Sequence, residues 1–208
     1  MRSLFIDTSS FFMNLAIIEN NKMLFSFSKE VKNDMASSIV SEIDIAFQKV
    51  PFTIKDLDKI FVVCGPGSFT GIRVGVTAAK IIAWSINIPV VPLSSLELMA
   101  TTSVVEEYSI PMIDARRGNV YAGVYDKQLN NIVADGLYNC EDFIHNLKYS
   151  YKIVSYDDIK NSVKPELNIL KIVSKHIEDN GVLANELKPN YLKLTEAEEK
   201  RNNDKNNN

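Results

Sequence analysis

Short apolar runs separated by polar turns fill the first thirty residues. Residues 3–6 read as a strand ended by Asp7, and 13–18 and 23–27 follow as strands joined by the turn Glu19-Asn20-Asn21. The period then changes. From Asp34 or Ser37, either able to cap a helix, Met35, Ile39, Ile43, Ala46, Phe47 and Val50 fall on one broad helical face. A strand at 60–63 leads into a loop with three glycines, and a helix is expected over 71–87. On that helix Ile72, Val76, Ala79, Ala83 and Ile86 form one stripe, while Val74, Ala78, Ile81 and Ile82 fill much of the opposite side. A helix apolar over so much of its surface is covered on two sides, either as a central core helix or as one shared with a partner.

After a strand at 89–92 and a helix over 94–103 the chain starts again. Pro111-Met112-Ile113-Asp114 echoes Leu4-Phe5-Ile6-Asp7, an apolar strand ending in aspartate, and each is followed by a polar turn and an alternating strand. The echo predicts two lobes of an α/β protein, the second abridged: residues 1–105, then 106–195, then a charged, asparagine-rich tail over 196–208 expected to be disordered. The second lobe is expected to carry strands near 111–114, 119–126, 131–138 and 152–155, with helices near 141–147 and 165–179.

At 208 residues with 46% hydrophobic positions the chain can bury a sizeable core, and a net charge of −3 argues against gripping nucleic acid unaided. Two cysteines, Cys64 and Cys140, fit a reducing cytoplasm rather than a disulfide scaffold. No signal peptide and no membrane span are expected.

The stretch Cys64-Gly65-Pro66-Gly67-Ser68-Phe69-Thr70-Gly71 carries the strongest signal. A strand, a glycine loop and a helix start bring backbone N–H groups and a positive helix end together, which suits a phosphate or a close approach by another backbone. The loop lacks Gly-Lys-Ser/Thr and the G-x-G-x-x-G spacing, so it reads as a docking or nucleotide-edge site made by Gly65, Gly67, Ser68 and Gly71, not a hydrolytic centre. Asp7 and Asp114 end equivalent strands and could flank a cleft that holds magnesium and phosphates; strand-end aspartates bonding their own turns are the plainer alternative. His145 and His176 are isolated in sequence, and no metal site is expected. Ser68 and Thr70 suit helix capping as well as ligand contact.

Leu4-Phe5-Ile6-Asp7-Thr8-Ser9, the run from Gly65 to Gly75, Ile113-Asp114-Ala115-Arg116-Arg117-Gly118-Asn119-Val120-Tyr121 and the C-terminal Pro189-Asn190-Tyr191-Leu192-Lys193-Leu194-Thr195-Glu196-Ala197-Glu198 together resemble the TsaB (YeaZ) family. The resemblance covers nearly the whole chain in order. It implies the two-lobed actin/Hsp70/sugar-kinase type of fold (ASKHA). It also implies a role in making threonylcarbamoyladenosine at position 37 of tRNA, as the non-catalytic partner of the paralogous transferase TsaD, with the ATPase TsaE joining them. In TsaD-like proteins a His-x-x-x-His pair holds a metal; Ser95 and Met99 stand at those positions here. Many relatives have a histidine near the start of the first helix, where this chain has Asp34-Met35-Ala36-Ser37. The implied partner surface comprises Met35, Ile39, Ile43, Ile72, Val76, Ala79 and Ala83, shared with a homodimer that forms without the partner. No intrinsic cofactor is expected; ATP or ADP would sit at the subunit boundary, and tRNA would be reached through the complex. The competing expectation is an enzyme, a small ATPase or kinase using Asp7, Asp114 and the cleft.

Overall fold

A computed structural model describes residues 1–31, 34–148 and 150–192; the expected disordered tail lies outside them. The first lobe is built on a five-stranded sheet of order β3-β2-β1-β4-β5, with β1 Arg2–Asp7, β2 Phe12–Glu19, β3 Lys22–Glu30, β4 Lys59–Val63 and β5 Val90–Leu93. β1 pairs antiparallel with β2 and parallel with β4. The second lobe repeats the pattern without a fifth strand: order β8-β7-β6-β9, with β6 Tyr108–Arg116, β7 Asn119–Tyr125, β8 Asn131–Asn139 and β9 Tyr151–Val154. β6 stands where β1 stands, antiparallel to β7 and parallel to β9. The echo between residues 4–7 and 111–114 is therefore an echo of sheet position.

The first sheet is covered on both faces, which is why β1 and β4 read as continuous apolar runs rather than alternating ones. One face carries Leu4, Ile6, Leu15, Ile17, Ile60 and Val62 against helices α1 (Met35–Phe47) and α2 (Phe69–Ile86). The other carries Phe5, Ile18, Phe61, Val63, Val91 and Leu93 against two short helices, α3 (Ser95–Met99) and α5 (Ile169–Lys175). The second lobe's core joins Ile110, Met112, Val120, Ala122 and Val124 to Phe143 of the short α4 (Cys140–His145).

Two expectations change. Residues 167–191, placed with the second lobe by their position in the chain, pack on the first: Ile172 and Val173 seal its second face, and Ala184 and Leu187 join the α1–α2 side. Helix α3 is shorter than the expected 94–103, because Thr101 and Thr102 donate their hydroxyls to the carbonyls of Leu98 and Met99 and accept from the N–H groups of Asn168 and Glu166. Asp34 caps α1 by backbone alone, its left-handed carbonyl accepting from Ser37 and Ser38, with no side-chain capping bond. Helix α2 is long and apolar enough to cross a bilayer, yet one side of it is buried in its own lobe.

Candidate functional site

The glycine loop is shaped by contact with the chain itself. A Cβ on Gly67 would collide with the Ser9 carbonyl, and one on Gly71 with the Thr8 carbonyl. These small residues let α2 sit directly on the turn after β1, where Ser68 N–H donates to Ser9 O (2.7 Å) and Thr8 Oγ1 to Gly71 O (2.7 Å). Ser68 also caps the helix, accepting from Gly71 N. Of the two readings of the loop, the close approach of another backbone is what is built. Gly65 lies beneath the loop against Ile72 and Asn190.

A cleft of about 640 Å³ opens between the lobes and gathers Asp7, Gly67, Ser68, Gly71 and Asp114 at its walls, as their strand-end and helix-start positions predict. Phe11, Tyr156 and Asp157 line it too. No local sequence pattern marks those three, since the fold brings residue 156 back to the first turn. Asp7 is buried and its carboxylate is already engaged: Oδ1 accepts from Ser9 N–H (2.9 Å) and Ser9 Oγ (2.7 Å), Oδ2 from Asn14 Nδ2 (2.9 Å). Burial pushes the carboxyl up from its ordinary value, against those hydrogen bonds. Asp114 accepts from the N–H of Arg116 (2.8 Å), a turn of its own, with the Arg116 guanidinium 3.4 Å away. Both aspartates take the plainer role. Burial also raises the Cys64 thiol to about 12, which makes it an inert core group. Ser95 is buried and donates to the Pro66 carbonyl, and Met99 is buried beside it, so the two positions matched to metal-binding histidines hold packing contacts.

The partner surface needs correction. Ile39, Ile43, Ile72, Val76, Ala79 and Ala83 are at most 5% exposed, turned into the core of their own lobe, and Met35 is half-buried. They hold α1 and α2 to the sheet. The reachable apolar residues lie on the other sides of the same helices. Val40, Ile81 and Trp84 are 70%, 62% and 80% exposed. Between the helices runs an apolar groove of about 490 Å³, lined by Val40, Phe47, Phe52, Ile54, Ile81 and Ile82. The second stripe on α2 (Val74, Ala78, Ile81) was the signal for this face, and Trp84, one turn beyond Ile81, continues it.

Residues 29–176 match the family model of TsaD, tRNA N6-adenosine threonylcarbamoyltransferase. The tRNA threonylcarbamoyladenosine biosynthesis protein TsaB of Bacillus subtilis (strain 168) is 30% identical over 225 residues, covering 96% of this chain and 97% of that one. Its namesake in Buchnera aphidicola subsp. Schizaphis graminum is 29% identical over 123 residues, 58% of each chain. Among solved structures, YeaZ from Pseudomonas aeruginosa superimposes with a TM-score of 0.75 at 19% identity, over 92% of this chain and 99% of that chain. The two repeated sheets, the loop that seats α2 on the first turn and this likeness along the full length all lead to one conclusion: the chain belongs to the TsaB (YeaZ) family of tRNA threonylcarbamoyladenosine biosynthesis proteins, with the two-sheet α/β fold of YeaZ.

Proposed function

We propose that the chain is a non-catalytic subunit that docks on a TsaD-type threonylcarbamoyltransferase and, together with TsaE, supports formation of threonylcarbamoyladenosine on tRNA. One observation carries this reading: the apolar groove between α1 and α2, flanked by Val40, Ile81 and Trp84 and exposed in the isolated chain. Contiguous exposed apolar surface with an aromatic anchor beside it marks an interaction face. In the absence of the partner the same face would pair two copies of this chain. Asp7 speaks against chemistry in the cleft, because both its oxygens already accept hydrogen bonds from Ser9 and Asn14. The volume of the cleft favours the rival reading, a nucleotide-hydrolysing site. In our reading ATP or ADP would meet this chain only at the boundary with the partner, through the exposed Ser68 and Thr70 at the start of α2. Contact with tRNA would come through the complex.

The test is tRNA modification in vitro with TsaD, TsaE and the enzyme that makes the threonylcarbamoyl-adenylate, with and without this chain. Modified tRNA that depends on the chain, with no ATP hydrolysis by the chain alone, is the expected result. Modification indifferent to the chain, or magnesium-dependent hydrolysis by the chain alone, overturns it.

A further inference from the structure

The second face of the first sheet is closed by short helices, and a charged cluster lies where they meet. Glu97 of α3 is 7% exposed, with a carboxylate in reach of two cations. Lys175 Nζ lies 2.6 Å from its Oε1, and His176 Nε2 lies 2.9 and 3.0 Å from Oε1 and Oε2. The other ring nitrogen of His176, Nδ1, lies 2.7 Å from Oδ2 of Asp179. A neutral imidazole has one donor and one acceptor nitrogen, and an ionised carboxylate only accepts. With carboxylates at both nitrogens, both must donate, so the geometry demands the imidazolium. Two lysine cations stand nearby and act against the imidazolium, so the two carboxylates in direct contact have to outweigh them. Lys175 also donates to the Leu129 carbonyl (2.5 Å) and feels Asp126 of the β7–β8 turn, while Lys59 of β4 donates to the carbonyls of Ile177 (2.9 Å) and Asp179 (2.6 Å).

What this cluster holds leads back to the glycine loop. Beyond α5, Val182 bridges to Val90 of the edge strand β5. The Leu187 carbonyl then accepts from Lys80 Nζ (3.1 Å), Asn190 N–H donates to Cys64 O (2.8 Å), and Arg73 Nε donates to the Tyr191 hydroxyl (2.9 Å). Residues 176–191 thus form a strap from the charged cluster to α2 and the loop before it.

We propose that His176 is a proton-operated latch: as the imidazolium it clasps Glu97 and Asp179 together and holds α5 and the strap on the first sheet, and its deprotonation loosens both. The neutral ring keeps one hydrogen bond and turns a lone pair toward the other carboxylate. The latch then works against itself on a helix of only seven residues, whose packing comes from Ile172 and Val173. The proton state of one side chain on the face opposite α1 and α2 would so set the firmness of the strap on the glycine loop. This goes beyond the docking reading and does not depend on it.

The direct test is an NMR titration of the full chain, following the ring Cε1–H of His176 (assigned by His176→Gln, which leaves His145), together with amide exchange at pH 6.0 and 8.5 corrected for intrinsic rate. The expected midpoint lies above the ordinary 6.5. Protection over 169–191 should fall about tenfold through that midpoint, while α1 keeps its protection. In His176→Gln the loss should already be present at pH 6.0 and should not grow at pH 8.5. A midpoint at or below 6.5, or pH-independent protection over 169–191 in the natural chain, overturns the latch. A poorly folded His176→Gln does not remove the test, because His145→Gln, at an exposed position, assigns the same two ring signals by elimination.

Discussion

The two faces of the first sheet are closed in different ways. On one, α1 and α2, of 13 and 18 residues, lay Ile39, Ile43, Ile72, Val76, Ala79 and Ala83 against Leu4, Ile6, Leu15, Ile60 and Val62. Each fully buried large aliphatic contributes about 1.5–3 kcal/mol over its exposed state, so this face is held by area, with little dependence on salt or pH. On the other, α3 and α5, of 5 and 7 residues, bring Leu98, Ile172 and Val173 to the sheet and supplement them with Glu97, Lys175, His176 and Asp179. Helices this short are marginal without tertiary support, and here ion pairs and hydrogen bonds supply part of it. The long-helix side has apolar surface to spare, which it presents to solvent as a groove. Among the described residues α3 and α5 carry no exposed large apolar side chain, and the clasp ties their hold on the sheet to protons.

Four substitutions and a pH profile would break this comparison or sharpen it. The largest effect is expected from Ala79→Glu, which puts a carboxylate at a site with no exposure. No cooperative unfolding transition should remain in a denaturant titration, and a soluble, cooperatively folding variant would show that α2 is not a core helix. Next comes Glu97→Ala, which strands Lys175 and His176; a loss of about 3 kcal/mol is expected from urea midpoints. Asp7→Asn places an amide nitrogen against Asn14 Nδ2 or the Ser9 donors, costing about 1–3 kcal/mol. Unchanged stability there would return Asp7 to the candidate ligands.

The pH dependence should follow the short-helix side. Hydrogen bonding to Glu97 raises His176 above its ordinary 6.5, so its contribution is full below 6.5 and lost as pH climbs through the folded value. Burial pushes Glu97 upward, but its bonds to His176 and Lys175 together bring it below the ordinary 4.5, so its contribution is full above 4.5 and lost toward acid. Thermal midpoints should therefore support the clasp best between about pH 4.5 and 6.5, and the alkaline decline should vanish in His176→Gln. The smallest effect on stability is expected from Trp84→Glu, within about 0.5 kcal/mol because the ring is 80% exposed. The same change should abolish pairing with TsaD and between copies, read by size-exclusion light scattering. Intact pairing would move the docking surface elsewhere.

Much of this molecule could be read in the chain. The echo of Leu4-Phe5-Ile6-Asp7 in Pro111-Met112-Ile113-Asp114 reported two sheets of like order, because strands in equivalent positions need the same apolar run ended by the same turn. The glycines between 65 and 71 marked a close approach, since a Cβ at 67 or 71 has nowhere to go. The TsaB-type motifs named the family. The outward face of α2 was less legible. Periodicity showed two apolar stripes, but a stripe carries no sign for inside and outside. The smaller side chains, Ala79 and Ala83, went to the sheet because helix and strand must approach closely, and that left Ile81 and Trp84 in the open.

What the sequence determined by itself was local and periodic: the strands, the two long helices, the glycine turn and the duplicated plan, each fixed by residues within a few positions of one another. Tertiary structure alone decided which aspartate oxygens were already satisfied, and that residues 167–191 return to the first lobe. It also brought His176, isolated in the sequence, onto the carboxylate of Glu97 in a part-buried contact across 79 positions of chain. Contacts of that separation depend on the chain returning to the first sheet after it has built the second lobe, and no local pattern of polar and apolar residues encodes that return.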